Sequence, residues 1–306
     1  MTSASSAAVP PTGAGAAGRP LNVIAYNVQF LPGLGRLLNE RKHPEYRART
    51  IGQKLAGYDI VGLNETFDDG PRKLLLDQLR RAWGKDFNMI ISPKPSDGRV
   101  SGGCAIVSRL PFLETHSAIY TKSSSLEQYG IWADGHAAKG PLHARIWRGG
   151  TAPKDDFVDV FVTHLESKDR AARNVQYQEL ARFVRTHSDP RRPVLIMGDM
   201  NTRGNPASRR DPDSQYHDMM SSLRRGRPGT TVVDLWLELN TGVGGTSSQE
   251  TPDGGRRIDY ILLSNPGGGT NRLRPLAMRV NRFLDPRVIA LSDHSAVEAD
   301  LLWQRR

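Results

Sequence analysis

Oxygen donors and histidines recur along this chain in six short motifs. They are Tyr26-Asn27-Val28, Leu63-Asn64-Glu65, Thr163-His164-Leu165, Gly198-Asp199-Met200-Asn201, Arg257-Ile258-Asp259-Tyr260 and Ser292-Asp293-His294. Each lies at the end of an apolar, strand-like run, where side chains from distant parts of the chain can converge. Their types suit one chemistry. A phosphodiester resists attack because its negative oxygens repel the nucleophile, and a divalent cation held by oxygen ligands neutralises that charge. Hard cations such as Mg²⁺ take carboxylates and amide oxygens, keep several waters and need few protein ligands. Glu65 and Asn27 form one such pair, and Asp199, Asn201 and Asp293 add oxygens. His164 and His294 supply groups that move protons near neutral pH.

Each motif alone has a plainer reading. Asn27 after a strand reads as a turn former, and Gly198-Asp199-Met200-Asn201 reads as an Asx turn. Either histidine alone reads as a satisfied core residue. Glu65 is harder to set aside, because a carboxylate flanked by Val61, Leu63 and Phe67 needs a partner. The joint occurrence, in one order, points to a metal site.

To position these motifs the chain must alternate strands and helices, and its patterning does so. Apolar runs predict strands over Leu21–Tyr26, Asp59–Leu63, Phe87–Ile91, Cys104–Ser108, His143–Trp147, Phe157–Thr163, Val194–Met197, Ile258–Leu263 and Ala296–Leu301. Helices are expected over Tyr46–Ala56 and Pro71–Trp83, the second with Pro at its start. A third, Ala172–His187, would place Val175, Leu180, Phe183 and Val184 on one face. Gly/Pro/Asp-rich stretches at 205–214, 242–255 and 265–270 read as long loops that carry substrate contacts.

The 306 residues suffice for one large domain. Residues 1–19 are Ala, Gly, Ser, Pro and Thr with few large side chains, so they read as a disordered tail. The tail lacks the basic start and apolar stretch of a signal peptide. No segment has the apolar length that crosses a bilayer. One α/β domain, residues 20–306, is expected after it. The net charge of +10, carried by Arg pairs such as Arg209-Arg210 and Arg256-Arg257, favours anionic partners without naming one. Cys104, the one cysteine, excludes an intramolecular disulfide and a cysteine-based zinc site, and reads as a small buried hydrophobe.

The motif series resembles the endonuclease/exonuclease/phosphatase (DNase I-like) superfamily from about Leu21 to Leu302. Within it the likeness narrows to bacterial neutral sphingomyelinases. It is carried by Tyr26-Asn27-Val28-Gln29-Phe30-Leu31-Pro32, Leu63-Asn64-Glu65-Thr66-Phe67-Asp68, Gly102 to Arg109, Ala138-Lys139-Gly140, Thr163-His164-Leu165-Glu166-Ser167 and Gly198-Asp199-Met200-Asn201. The resemblance implies a four-layer α/β sandwich, two packed mixed sheets flanked by helices. It implies Mg²⁺ as cofactor, with Mn²⁺ or Co²⁺ as substitutes, and Glu65 as main metal ligand supported by Asn27. Asp199 and Asn201 would hold the metal-bound water and phosphate, and Asp293 would be a second carboxylate near the metal. His164 would stabilise the phosphate or assist the leaving oxygen. His294 would deprotonate the attacking water in line with the leaving group, oriented by Asp259. Lys139 would contact the substrate phosphate. The enzyme would be a secreted monomer that splits a choline phospholipid into phosphocholine and a lipid alcohol.

This chain departs from that branch in two places. Its relatives resemble one another in an exposed aromatic hairpin that docks on membranes, whereas the interval between Leu263 and Ser292 holds no tryptophan and only Phe283. Some also carry disulfides, which one cysteine cannot form. Both departures touch substrate choice and leave hydrolysis standing. A nuclease would use the same residues, and the positive charge suits a phosphate backbone. A noncatalytic binding module would have lost a metal ligand or a histidine, and none is lost.

Overall fold

The computed structural model describes residues 19–31, 33, 35, 42–130, 133–149, 156–247, 255–268 and 271–305. The tail expected over 1–19 lies outside them apart from Arg19, as do Pro32 and parts of the loops expected at 242–255 and 265–270. In chain order the strands are β1 (Leu21–Phe30), β2 (Ile60–Thr66), β3 (Asn88–Ile91), β4 (Val100–Ser101), β5 (Ala105–Ser108), β6 (Phe112–Ser117), β7 (Ala137–Ala138) and β8 (Leu142–Trp147). They continue with β9 (Phe157–His164), β10 (Val194–Asp199), β11 (Thr230–Asp234), β12 (Asp259–Pro266), β13 (Asn271–Asn281), β14 (Leu284–Asp285), β15 (Ile289–Ala290) and β16 (Ala296–Arg305). The long helices are α1 (Pro44–Leu55), α2 (Asp69–Trp83), α3 (Arg170–His187) and α4 (Gln215–Gly226).

Twelve strands form two six-stranded mixed sheets, ordered β13-β16-β1-β2-β5-β3 and β11-β12-β10-β9-β8-β6. Alternation along the central strands builds four layers. Val23 and Ala25 of β1 and Leu195 and Met197 of β10 enter the core between the sheets. The intervening Ile24, Tyr26 and Val28 pack under α1 and α2, while Val194 and Ile196 pack under α3 and α4. On α1, Ala48, Ile51 and Leu55 form the buried stripe. Cys104 lies in the inter-sheet core, where burial pushes its thiol up to about 11. No helix among the described residues is long and apolar enough to cross a membrane.

In each sheet the central pair is the parallel one, β1 with β2 and β9 with β10. A parallel pair needs a crossover, and α1 and α3 provide the two. Both pairs therefore end on the same rim, where the sheets face each other. The neighbours β12 and β16 run antiparallel to β10 and β1, so each begins where its partner ends. Six chain segments meet at that rim.

Three edge strands, β6, β11 and β13, and helix α4 were not legible in the pattern. β6 is mostly exposed, and β13 carries Pro275 at a register shift against β16. Edge strands tolerate both polarity and proline, which hides them. The face expected on α3 is also corrected. Leu180 and Val184 are buried but Val175 and Phe183 only half so, and the stripe continues through Ala172, Gln176 and Tyr177. Gln176 and Tyr177 are polar yet buried because each is bonded, Gln176 to Lys122 O and Glu166 N, and Tyr177 to the Thr202 hydroxyl.

The sheets approach closely at Gly62, where a Cβ would stand 2.8 Å from Val162 Cγ2 and 3.2 Å from Met197 Cε. Neither neighbour lies at the molecular surface, so the sheets themselves must give. Gly62→Ala should lower unfolding free energy by about 1–3 kcal/mol. Urea denaturation monitored by circular dichroism tests this, and an unchanged midpoint would refute the close packing.

Candidate active site

The rim collects the side chains of all six motifs. Asn27 and Glu65 come from the ends of β1 and β2, His164 and Asp199 from the ends of β9 and β10. Asp259 opens β12, its Cα paired with that of Asp199. His294 precedes β16 by two residues. At Glu65 the backbone turns left-handed, with φ 56°, and Asn201 does the same with φ 46°. Such turns cost on the order of 1–3 kcal/mol each and persist where surroundings enforce them. In β2 the turn breaks alternation, so Asn64 and Glu65 both address the second sheet.

Asp199 is the hub. Its Oδ2 accepts from Asn27 Nδ2 at 3.1 Å and lies 3.5 Å from His164 Nε2 and 3.9 Å from His294 Nε2. Its Oδ1 accepts from the Asn201 N–H at 2.9 Å. Asn27 Nδ2 also donates to Glu65 Oε1 at 2.8 Å, and its Oδ1 accepts from the Gln29 N–H. Glu65 Oε1 stands 4.0 Å from His164 Nε2. Burial and the neighbouring Asp293 push the Glu65 carboxyl up to about 7.

The two histidines occupy opposite environments. His294 Nδ1 meets Asp259 Oδ2 at 2.8 Å. Burial alone would lower its pKa, but Asp259, Asp199 and Asp293 outweigh it and raise the imidazole well above its ordinary value. His164 is held down to about 4 by burial and by the Lys139 ammonium. Lys139 is buried, and its Nζ donates to His164 Nε2 at 3.0 Å, Asp134 Oδ2 at 2.8 Å and Leu165 O at 3.1 Å. Asn201 Nδ2 approaches the same His164 nitrogen at 3.2 Å and donates to Leu165 O at 2.9 Å. Lys139 thus reaches the centre through His164. Asp293 is half-buried and acts on Glu65 and His294 through its charge.

Several residues that support the centre escaped the sequence reading. Asn64 accepts from the Asp199 N–H at 2.9 Å and donates to Thr163 O at 2.9 Å, stitching the ends of β2, β9 and β10. Its place beside Glu65 at the end of an apolar run was the available signal. Asp134 lies 30 residues from His164 and carries no motif. Thr246 stands in a stretch read as a loop. Its Oγ1 accepts from the N–H groups of Ile258 and Asp259, both at 3.2 Å, and donates to Asp259 Oδ2 at 2.6 Å. No local pattern announces such a hydroxyl.

Among the described residues, two clusters have ligand atoms close enough to hold a metal ion: Glu65 with His164 and Asp199, and Asp199 with Asp259 and His294. The family model described as Endonuclease/Exonuclease/phosphatase family matches residues 24–294. The chain belongs to that family. It is a phosphodiesterase of the family, similar to sphingomyelinase C at low identity. Sphingomyelinase C of Bacillus cereus is 26% identical over 298 residues, covering 87% of this chain and 80% of the relative. Sphingomyelinase C 2 of Leptospira interrogans is 26% identical over 264 residues, 80% of this chain, which spans 39% of that protein. Among solved structures, a Staphylococcus aureus beta toxin mutant with bound magnesium ions has TM-score 0.65 at 21% identity, covering 92% of this chain and 99% of that one. D. rerio TDP2 complexed with a single-strand DNA product has TM-score 0.62 at 19% identity, covering 92% and 98%. These likenesses bear out the four-layer sandwich.

Thr246 offers a test of the dyad's support. Thr246→Val keeps the shape and removes the hydroxyl that holds Asp259. A hydrogen bond to a charged group contributes about 1.5–3 kcal/mol, so phosphodiester turnover should fall on the order of 10- to 100-fold and Thr246→Ser should restore it. Turnover equal to wild type in the valine variant would remove Thr246 from the support.

Proposed function

We propose that this chain is a Mg²⁺-dependent phosphodiesterase that hydrolyses sphingomyelin or a related choline phospholipid to phosphocholine and a lipid alcohol. The observation that carries the reading is the Asp259–His294 pair set 3.9 Å from Asp199, which itself faces Glu65 and His164. The donor set fits a hard cation. Glu65, Asp199 and Asp293 crowd one rim, and burial together with the Asp293 charge pushes the Glu65 carboxyl up, so a cation there would relieve both. Glu65 and Asp199 would hold the ion, with Asp293 and Asn201 beside them; Asn27 would join by turning its amide so that oxygen replaces nitrogen. The cation would supply charge neutralisation at the phosphate.

The remaining roles fall to side chains. Asp259 takes the Nδ1–H of His294 and leaves Nε2 facing the carboxylate cluster, where the neutral form of the imidazole would accept a proton from the attacking water. Asn201 and Asp199 are positioned to orient that water and the phosphate. His164 is assigned to the departing oxygen together with the Lys139 ammonium, which meets its site-facing Nε2 and adds positive charge.

The lipid substrate is supported by the similarity to sphingomyelinase C and by the ribbon β14–β15, which joins β13 to the His294 loop. It exposes Leu284 (56%) and Ile289 (78%) where the sequence had shown no aromatic residue but Phe283. A second reading, hydrolysis of nucleic acid, draws on the net charge of +10.

Purified protein with Mg²⁺ should hydrolyse sphingomyelin vesicles in preference to lysophospholipid micelles and plasmid DNA. Hydrolysis of the plasmid alone would transfer the assignment to the nuclease. Chelation should abolish turnover and added Mg²⁺ restore it; full activity in chelator would sink the metal mechanism. His294→Ala should cost on the order of 10²-fold or more in turnover, measured as released phosphocholine. A rate near wild type would exclude His294 as the base.

A further inference from the structure

Behind the rim lies a buried arginine on helix α1. Arg47 is 1% exposed. Its Nε donates to Leu291 O at 2.7 Å and its Nη2 to Val28 O at 2.5 Å, while Nη1 and Nη2 reach Gln29 O at 3.3 and 3.4 Å. The three carbonyls belong to two segments far apart in sequence. One is the end of β1 just past Asn27, and the other is the loop that carries Ser292, Asp293 and His294.

The local backbone is shaped for this grip. In a regular strand successive carbonyls point to opposite sides, but the register against β2 shifts between Asn27 and Phe30, and Gln29 is left-handed with φ 52°. The bulge turns the Val28 and Gln29 carbonyls toward one guanidinium. Packing under a helix asks only for an apolar residue, and a buried cation is costly unless its donors are engaged. A planar fork with several fixed donors can hold two segments at a set separation, which a flexible ammonium cannot. A second tie joins the same segments, the Ser292 hydroxyl donating to Asn27 O at 2.7 Å and accepting from the His294 N–H at 3.2 Å. The Ser295 N–H donating to Thr246 O at 2.7 Å and His294 against Asp259 fix the loop to the second sheet, and the Ser292 hydroxyl and Arg47 are what fix it to the end of β1.

We propose that Arg47 is a positioning residue for the hydrolytic reaction, setting the distance between the Asn27–Glu65 pair and His294. This rests on the function proposed above. Displacing a reacting group by about 1 Å can cost on the order of 10²-fold in rate. Arg47→Met should therefore lower kcat by roughly that factor with KM changed less than about threefold, and Arg47→Lys should recover part of the loss. Imidazole NMR supplies a readout that lost packing alone would not move. The His294 ring signals should shift or broaden in Arg47→Met, while those of His143 and His187, on the helix-covered face of the second sheet, stay in place. Arg47→Gln serves the same comparison if the methionine variant does not fold. Wild-type kcat in a folded variant, or a loss of kcat with unmoved His294 signals, would overturn the proposal. If the wild-type protein cleaves no phosphodiester, the proposed function fails, and the His294 signals still decide whether Arg47 positions that loop.

Discussion

Carboxylates held close together at a buried rim are the constraint to which the rest of this molecule answers. Asp199 and Asp259 are almost wholly shielded from water, with Glu65 and Asp293 beside them. Like charges so placed repel one another, and each demands a donor or a counter-charge. The structure meets the demand residue by residue: Asn27 bridges Glu65 and Asp199, the Asn201 N–H takes the second Asp199 oxygen, and Thr246 and His294 share one oxygen of Asp259. Donors among the described residues still leave Asp259 Oδ1 without a partner and Glu65 pushed up by burial and by Asp293, and a divalent cation suits so acidic a rim.

Topology explains why these groups can meet. Each sheet contributes one parallel pair, and parallel strands end together. Two such pairs stacked face to face bring four strand ends to one rim without any loop reaching across. The antiparallel neighbours β12 and β16 then deliver Asp259 and His294 at their starts. The candidate site thus sits on strand ends braced from beneath by the inter-sheet core, in which Gly62 leaves no room to spare. The left-handed residues Gln29, Glu65 and Asn201 mark where regular strands are bent away from their pleat to serve the site.

Much of this is legible in the sequence, for a physical reason. Central strands are apolar on both faces, so their ends, and the polar residues placed there, stand out as interruptions. Asn27, Glu65, His164, Asp199 and Asp259 are such interruptions. The edge strands β6, β11 and β13 are half-solvated and lack that contrast. The supporting residues were invisible for another reason. Arg47, Asp134 and Thr246 act through contacts made across 18 to 244 residues of sequence, 5 to 33 residues, and 10 to 13 residues respectively, and none of these spacings is periodic. A buried arginine on a helix reads as basic surface until the carbonyls it serves are seen.

The two histidines give the site a direction. Behind His294 stands a carboxylate, beside His164 an ammonium, and their basicities are driven apart accordingly. With Lys139 and Asn201 directed at its Nε2, a neutral His164 has no proton on that nitrogen to give, so proton transfer falls to His294 and positive charge at the other end to Lys139. His294, more basic, is fitted to receive a proton. His164 is neutral at rest and is approached by the donors Lys139 and Asn201, so it sits at the electropositive end. A phosphodiester lying across Asp199 would have its attacking side toward β12 and β16 and its departing side toward β9. The same asymmetry serves lipid or nucleic acid equally, because it acts on the shared bond. Selectivity therefore has to come from what surrounds the rim, and there the exposed aliphatic ribbon of β14 and β15 adjoins the His294 loop that Arg47 holds to β1.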